Sequence, residues 1–435
     1  MPHDGLVGDR HDLRQPVLPP ARPGATMSLL WIVADSVRAD VFGCCGGPCR
    51  TPTVDRLAEQ GTLFPRAVSA AAWTLPSLAA MLTGVYPHRL GLARWEQPWP
   101  AGRETLFDRA ARAGHEVASF PFDPQFLFAN VPAARVAGSS QDTGRLLAWL
   151  REHRDRPFFA FVHYWWTHIP YLMWPLDTRR WRKATDVVLA ALCAGPRERE
   201  GVRRLYRHAV ERFSESWLPR VLEAVDLDRT WVVIAADHGE SWGGRSGAEP
   251  VREVFDLHGN DLADEVLRVP VLVRPPGGGP GRRIAGLVRT VDLAPTLAAL
   301  LDLGALPADI DGLSLARSIR EGTPAVAADA VSVRSADFVA RPDAPGSPSE
   351  LWTGYALTTP RERLVWDVGR DSFDFFELDP QPNGTATVVE RRGGEPPAAL
   401  VERLRAEARR AVVGEFDAAE SARTAERLRA LGYLE

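Results

Sequence analysis

The chain has 435 residues, 45% of them hydrophobic and 25% charged, with a formal net charge of -4. That length and balance leave room for a large buried core, so one big domain plus a smaller one is expected, and the near-neutral charge argues against a nucleic-acid coat protein. Basic residues are almost all arginine, Lys183 being the only lysine, so any anion site must use arginine, histidine, backbone amides or a metal ion.

Residues 1–26 are polar and proline-rich and contain no signal-peptide core. They are expected to be a disordered leader, or to lie ahead of a true start at Met27. No apolar run is long enough to cross a membrane, so a cytoplasmic protein without a membrane partner is expected. From Leu29 short apolar runs alternate with amphipathic stretches: LLWIVA, the helix-like TVDRLAEQG, the helix PSLAAMLTG, then HEVASF, TGRLLAWLREH, PFFAFVHYW, WVVIAA, VPVLVRPP and the helix DLAPTLAALLDLG. Such alternation predicts an α/β domain over residues 27–324, with a large, mostly parallel central sheet flanked by helices. PPGGGPG at 275–281 reads as a tight loop within it. Beyond residue 325, AVSVRSADF, LWTGYALTTPRERLVWDVG and FDFFELD read as antiparallel strands. Helical segments follow as far as AERLRALGYLE, so residues 325–435 are expected to form a small C-terminal α+β domain.

Four cysteines, Cys44, Cys45, Cys49 and Cys193, supply neither a zinc spacing nor a secreted disulfide framework, and are expected to be reduced. The chemistry-bearing residues stand at element ends, where open sheets of this class gather their ligands. Asp35 ends the first strand in ADSVRAD, near Arg38 and Asp40; Asp237 and His238 follow WVVIAA and precede Gly239 and Glu240. Together the two carboxylates and the imidazole can hold a divalent cation: calcium, magnesium or manganese by their oxygens, zinc because an imidazole takes part. Thr74 opens a helix over residues 75–83, bounded by Pro76 and Gly84, so an anion held at the amide end would lie beside its hydroxyl. Taken singly, Thr74 also reads as a helix cap and Asp237 as a turn residue. His163, beside aromatics, reads as a packing residue, while His168 and His258 are candidates to protonate a leaving group.

The ordered set IVADSVRADVFG, TPTVDRLAEQGTLFPRAVS, TLPSLAAMLTGVYPHRLG, HYWWTHIPY, AADHGE, LHGNDLADEVLRVPVLVRPPG and TVDLAPTLAALL resembles the sulfatase family of the alkaline phosphatase superfamily over residues 28–435. The resemblance implies Asp35, Asp237 and His238 as metal ligands, Thr74 at the nucleophile position, and His168 and His258 as substrate-contacting or acid/base histidines. Arg38 matches a position that could orient the metal carboxylates. The departures are specific. Where the family's Cys/Ser-x-Pro-Ser-Arg becomes formylglycine, this chain has Thr74-Leu75-Pro76-Ser77-Leu78, and threonine cannot yield that aldehyde, so no formylglycine is expected. Ser36 replaces the second aspartate of the usual pair, His258-Gly259 replaces a lysine segment, and the Gly-Lys-Trp-His segment has no counterpart. Threonine is the nucleophile in phosphodiesterase branches of the superfamily. The expectation is therefore a metal-dependent hydrolase of small-molecule phosphate (diester or phosphonate) or sulfate esters using Thr74. A phospho-group transferase and an inactive sulfatase-like binding protein are the alternatives. Residues 92–104, 121–141 and 171–200 are expected to be loops that set specificity.

Overall fold

A computed structural model describes residues 27–94, 97–123, 128, 131–172, 178–242, 258–325, 329–335, 347–380, 386–415 and 426. The leader and the helical ending AERLRALGYLE fall outside this set, apart from residue 426.

The apolar runs supply most of an eight-stranded sheet, completed by two short arginine-bearing strands: β1 (Ser28–Ala34), β2 (Thr62–Val68), β3 (Glu116–Phe120), β4 (Phe158–Tyr164), β5 (Thr230–Ala235), β6 (Arg268–Arg274), β7 (Arg282–Arg283) and β8 (Val288–Arg289). Their order is β3-β4-β1-β5-β6-β2-β7, with β8 also paired to β2. β3, β4, β1 and β5 are mutually parallel, and β6 runs against both β5 and β2. Every residue of β1, β4 and β5 is buried, as a sheet covered on both faces by helices requires. Edge-on aromatic contacts fix the middle of the sheet. Trp31 meets Phe161 at 5.3 Å between ring centroids, and Phe107, from a covering helix, meets Phe161 at 5.8 Å; such pairs add about 1 kcal/mol each to the area they bury.

Two segments need a physical account. β2, TLFPRAV, is a strand despite Pro65, which breaks strand patterns because it lacks an N–H. The proline is accommodated where the register against β6 shifts between Phe64 and Ala67. The stretch 171–200, read as a loop, is largely the helix Thr178–Ala194, and Pro196–Arg212 follows it as a second helix packed against the first. Gly195 and Pro196 mark the junction, where one helix ends and the next begins.

A second, antiparallel sheet has the order β13-β12-β11-β10-β9, built from β9 (Ala330–Ser335), β10 (Trp352–Thr358), β11 (Glu362–Asp367), β12 (Ser372–Pro380) and β13 (Ala386–Arg392). The helix Ala398–Ala408 packs on β10. The two sheets meet at the segment leading into Thr74. There Val333 N–H donates to Ala70 O at 3.0 Å, Ala72 N–H donates to Val333 O at 3.2 Å, and Trp73 Nε1–H donates to Ser335 Oγ at 2.9 Å. The C-terminal sheet thus braces the residues that present Thr74.

Candidate active site

The parallel strands deliver Asp35, His163 and Asp237 to one end of the sheet. Asp35 follows β1, and its N–H donates to Tyr164 O at 2.9 Å, carrying the β1–β4 pairing one residue further. Asp237 and His238 follow β5 after the single intervening residue Ala236. The intervening turn is pinned by Gly239, whose N–H donates to Val266 O at 2.7 Å. A Cβ at Gly239 would meet Glu265 O at 2.0 Å, so this approach of two backbones needs glycine.

Asp35, Asp237 and His238 form a fully buried group whose donor atoms all lie within 4.8 Å of one another. His238 Nδ1–H donates to Gly239 O at 2.9 Å, which leaves the lone pair on Nε2. That atom stands 3.7 Å from Asp35 Oδ1 and 3.6 Å from Asp237 Oδ2. Ligands about 2.0–2.2 Å from one cation are separated by distances of this order, so the donor set fits a divalent ion. The electrostatics agree. Burial and the facing Asp237 push the Asp35 carboxyl up to about 6, although His163 and His238 pull the other way. Burial also opposes ionisation of Asp237, but the charges of His238 and His163 and their hydrogen bonds outweigh it and hold that carboxyl below its usual range. Two carboxylates in one dry space do not both ionise freely, and a cation between them removes that strain.

Thr74 is the first residue of the helix Thr74–Thr83, after Trp73 at the cap position. Its hydroxyl does not serve as the cap: Oγ1 lies 3.3 Å from His238 Nε2, at the metal-type group. Ser77 in the helix and Ser69 just after β2 are tied to the same turn, Ser77 Oγ–H donating to Asp237 O at 2.6 Å and Ser69 Oγ–H to that oxygen at 2.5 Å. His258 and His168 complete the cluster. The His258 ring stands 4.5 Å from that of His238 and 5.0 Å from that of His168. His168 is pushed down to about 3 by burial and by the neighbouring His258, and its Nδ1–H donates to Ile169 O at 2.8 Å. His258 moves up instead, because the Glu240 carboxylate 2.9 Å from Nδ1 outweighs burial.

Three residues are corrected or added by the geometry. His163, read as packing, has Nε2 at 3.3 Å from Asp35 Oδ2 and 3.4 Å from Asp237 Oδ2, bridging the two carboxylates. Its Nδ1 is buried without a hydrogen-bond partner. A ligating histidine normally donates its other N–H, so His163 fits a donor that orients the carboxylates, the opposite arrangement to His238. Its position on β4, one strand from β1, is invisible without the strand order. Arg38 does not orient Asp35 or Asp237: Nε and one terminal nitrogen bind Asp40 at 2.8 and 2.6 Å, and the guanidinium lies over Trp242 at 5.2 Å. Ser36 takes up the orienting task. At φ 59°, its N–H donates to Asp237 Oδ1 at 3.3 Å and its hydroxyl to Asp35 Oδ1 at 2.7 Å.

A mixed sheet with a carboxylate–imidazole group at the parallel strand ends, a hydroxyl at a helix start beside it and a bracing antiparallel sheet defines an ester hydrolase of the alkaline-phosphatase-like architecture. The Sulfatase family model matches residues 28–124 and 141–303, and the chain belongs to the sulfatase family. It is 24% identical over 410 residues to an ulvan-active sulfatase of Formosa agariphila, covering 82% of this chain and 77% of that one. Its fold resembles that of a phosphonate monoester hydrolase from Silicibacter pomeroyi, with a TM-score of 0.67 at 19% identity over 88% of this chain and 94% of that one. It also resembles that of a sulfatase-like protein from Bacteroides thetaiotaomicron, with a TM-score of 0.65 at 18% identity over 91% and 96%. Among the described residues no helix is long and apolar enough to cross a membrane, and the four cysteines are free thiols.

Proposed function

We propose that the protein is a metal-dependent hydrolase of small esters carrying one negative charge on the transferred group, phosphodiesters or phosphonate monoesters first and sulfate esters second, with Thr74 as nucleophile. The observation that carries this reading is the 3.3 Å approach of Thr74 Oγ1 to His238 Nε2, beside two buried carboxylates whose ion-pair partners among the described residues are the imidazoles of His163 and His238. Asp35, Asp237 and His238 would hold the cation, which supplies Lewis acidity for the hydroxyl and for a non-bridging ester oxygen. Its two charges are matched by the two carboxylates. What remains to meet the substrate is the amide end of the Thr74–Thr83 helix and His258, which suits a singly charged group better than a doubly charged phosphate monoester.

In the first half of the reaction the Thr74 hydroxyl gives its proton to water and Oγ1 bonds to phosphorus or sulfur. The bond to the leaving oxygen breaks, and His258 Nε2 gives that oxygen a proton. In the second half a water oxygen bonds to the same centre, its proton returns to His258 Nε2, and Thr74 leaves and recovers a proton. His168, uncharged and tied through Nδ1, offers Nε2 as an acceptor toward substrate.

The experiment is turnover of p-nitrophenyl phosphodiester, phosphonate, sulfate and phosphate monoester by metal-loaded wild type and Thr74→Ala, with metal content measured in both. Diester or phosphonate turnover that falls by about 10³ or more in a variant that keeps its metal is expected. Turnover that survives in Thr74→Ala, or a wild type that binds no metal and cleaves no ester, overturns the reading.

A further inference from the structure

Glu240 is a fully buried carboxylate that takes no part in the metal-type group. Both its oxygens are engaged. Oε1 accepts from His258 Nδ1–H at 2.9 Å, and Oε2 accepts from Tyr171 O–H at 2.9 Å, which in turn accepts from Trp242 Nε1–H at 3.1 Å. The backbone is held as tightly, since Glu240 N–H donates to Glu265 O at 3.1 Å and Arg38 donates to Glu240 O at 3.3 Å. On the far side of the imidazole, Gly259 N–H donates to Ala72 O at 2.8 Å, two residues before Thr74. His258 is thus fixed at both ends, Nδ1 on Glu240 and backbone on the nucleophile segment, with its ring 4.5 Å from that of His238.

A carboxylate on one imidazole nitrogen fixes the tautomer and aims the other nitrogen. We propose that Glu240 is the positioning residue for His258: it binds Nδ1–H so that Nε2 faces the ester oxygen that departs when Thr74 attacks, and Tyr171 and Trp242 keep the carboxylate aligned. This rests on the reading of Thr74 as nucleophile and His258 as proton donor. The step is the one already balanced: the Thr74 oxygen bond forms, the ester oxygen bond breaks, and the Nε2 proton moves to the leaving oxygen. A carboxylate present only to satisfy Tyr171 and Trp242 would give a different result when removed, because its loss would slow all substrates alike.

The test compares wild type, Glu240→Gln, Tyr171→Phe, His258→Ala and the double variant Glu240→Gln/His258→Ala on one ester series whose leaving groups run from p-nitrophenol to a simple alcohol. Metal content is measured throughout. Good leaving groups need little protonation, so Glu240→Gln is expected to lower kcat/KM by about 10-fold for p-nitrophenyl and by about 10³-fold for the alkyl ester. Tyr171→Phe should shift the leaving-group dependence the same way but less, and it covers the case of a Glu240 variant that does not fold. The double variant is expected to be no slower than His258→Ala within about 2-fold, since the two residues act as a unit. Nitrogen-15 spectra of the metal-loaded protein should show His258 protonated on both nitrogens at low pH and, once Nε2 has released its proton at high pH, as the Nδ1–H tautomer in wild type and a mixture of tautomers in Glu240→Gln, with His168 and His238 unchanged. Equal losses across the leaving groups, additive losses in the double variant, or an unchanged His258 tautomer overturn the proposal. The two readings fail separately: turnover persisting in Thr74→Ala removes the threonine mechanism, whereas a uniform loss in Glu240→Gln with Thr74 still required removes only the positioning role.

Discussion

Replacing Asp35 by asparagine is expected to stabilise the metal-stripped protein at pH 8, against the usual cost of altering a buried residue. Asp35 is 1% exposed, and burial with the facing Asp237 raises its carboxyl from 3.8 to about 6. Between these values the folded chain keeps a proton that the unfolded chain has released, so stability falls as pH rises from about 4 to about 6 and stays low above. A shift of about two units at ~1.4 kcal/mol each amounts to roughly 3 kcal/mol at pH 8, and to about half of that at pH 5. Asparagine has no such proton. It can keep the hydrogen bond from Ser36 Oγ, now 2.7 Å from Asp35 Oδ1, but it disturbs the contact with His163, a loss of about 1 kcal/mol. The metal-free Asp35→Asn variant should therefore be more stable than wild type at pH 8, by about 2 kcal/mol, and should lose most of that advantage by pH 5. Guanidinium unfolding of EDTA-treated protein, followed by tryptophan fluorescence at both pH values, reads this directly. Saturating divalent metal should reverse the order, because wild type gains about 2.7 kcal/mol at a hundred times its Kd and the variant gains less. Equal destabilisation of the variant at both pH values without metal would refute the argument, since the carboxylate would then be under no charge strain.

Two further outcomes follow from the same cluster. His163→Gln should weaken metal affinity by about 10- to 100-fold, measured by competition with a chromophoric chelator; unchanged affinity would mean that bridging Asp35 and Asp237 has no consequence for the ion. His168 is pushed down to about 3, so below the ordinary 6.5 its unfolded form takes a proton that the folded form refuses, and stability is lost as pH falls. That is about 2 kcal/mol between pH 6.5 and pH 5. The stability gap between wild type and His168→Asn should narrow by that amount over the same interval, and a constant gap in thermal unfolding would show that His168 titrates normally.

Much of this was legible in the chain. LLWIVA and WVVIAA are apolar on every position and PFFAFVHYW on all but His163, which already requires strands covered on both faces, and Asp35, Asp237 and His238 stand at strand ends because an open parallel sheet turns there. Thr74 before Pro76 marks a helix start from local sterics alone. These are short-range properties, carried by neighbouring residues. What they do not carry is which strand lies beside which. β4 lies next to β1, and this brings His163 onto both metal-type carboxylates although 128 residues separate it from Asp35 by sequence number. A histidine between Val162 and Tyr164 looks like packing until that neighbour is known. The pairing of Glu240 with His258, the bracing of Ala70–Trp73 by β9, and the diversion of Arg38 to Asp40 and Trp242 have the same origin. The sequence by itself determined the elements and the reactive residue types. Tertiary structure alone decided which of them share a charge, because hydrogen bonding and Coulomb interaction act over a few ångströms of space whatever the distance along the chain.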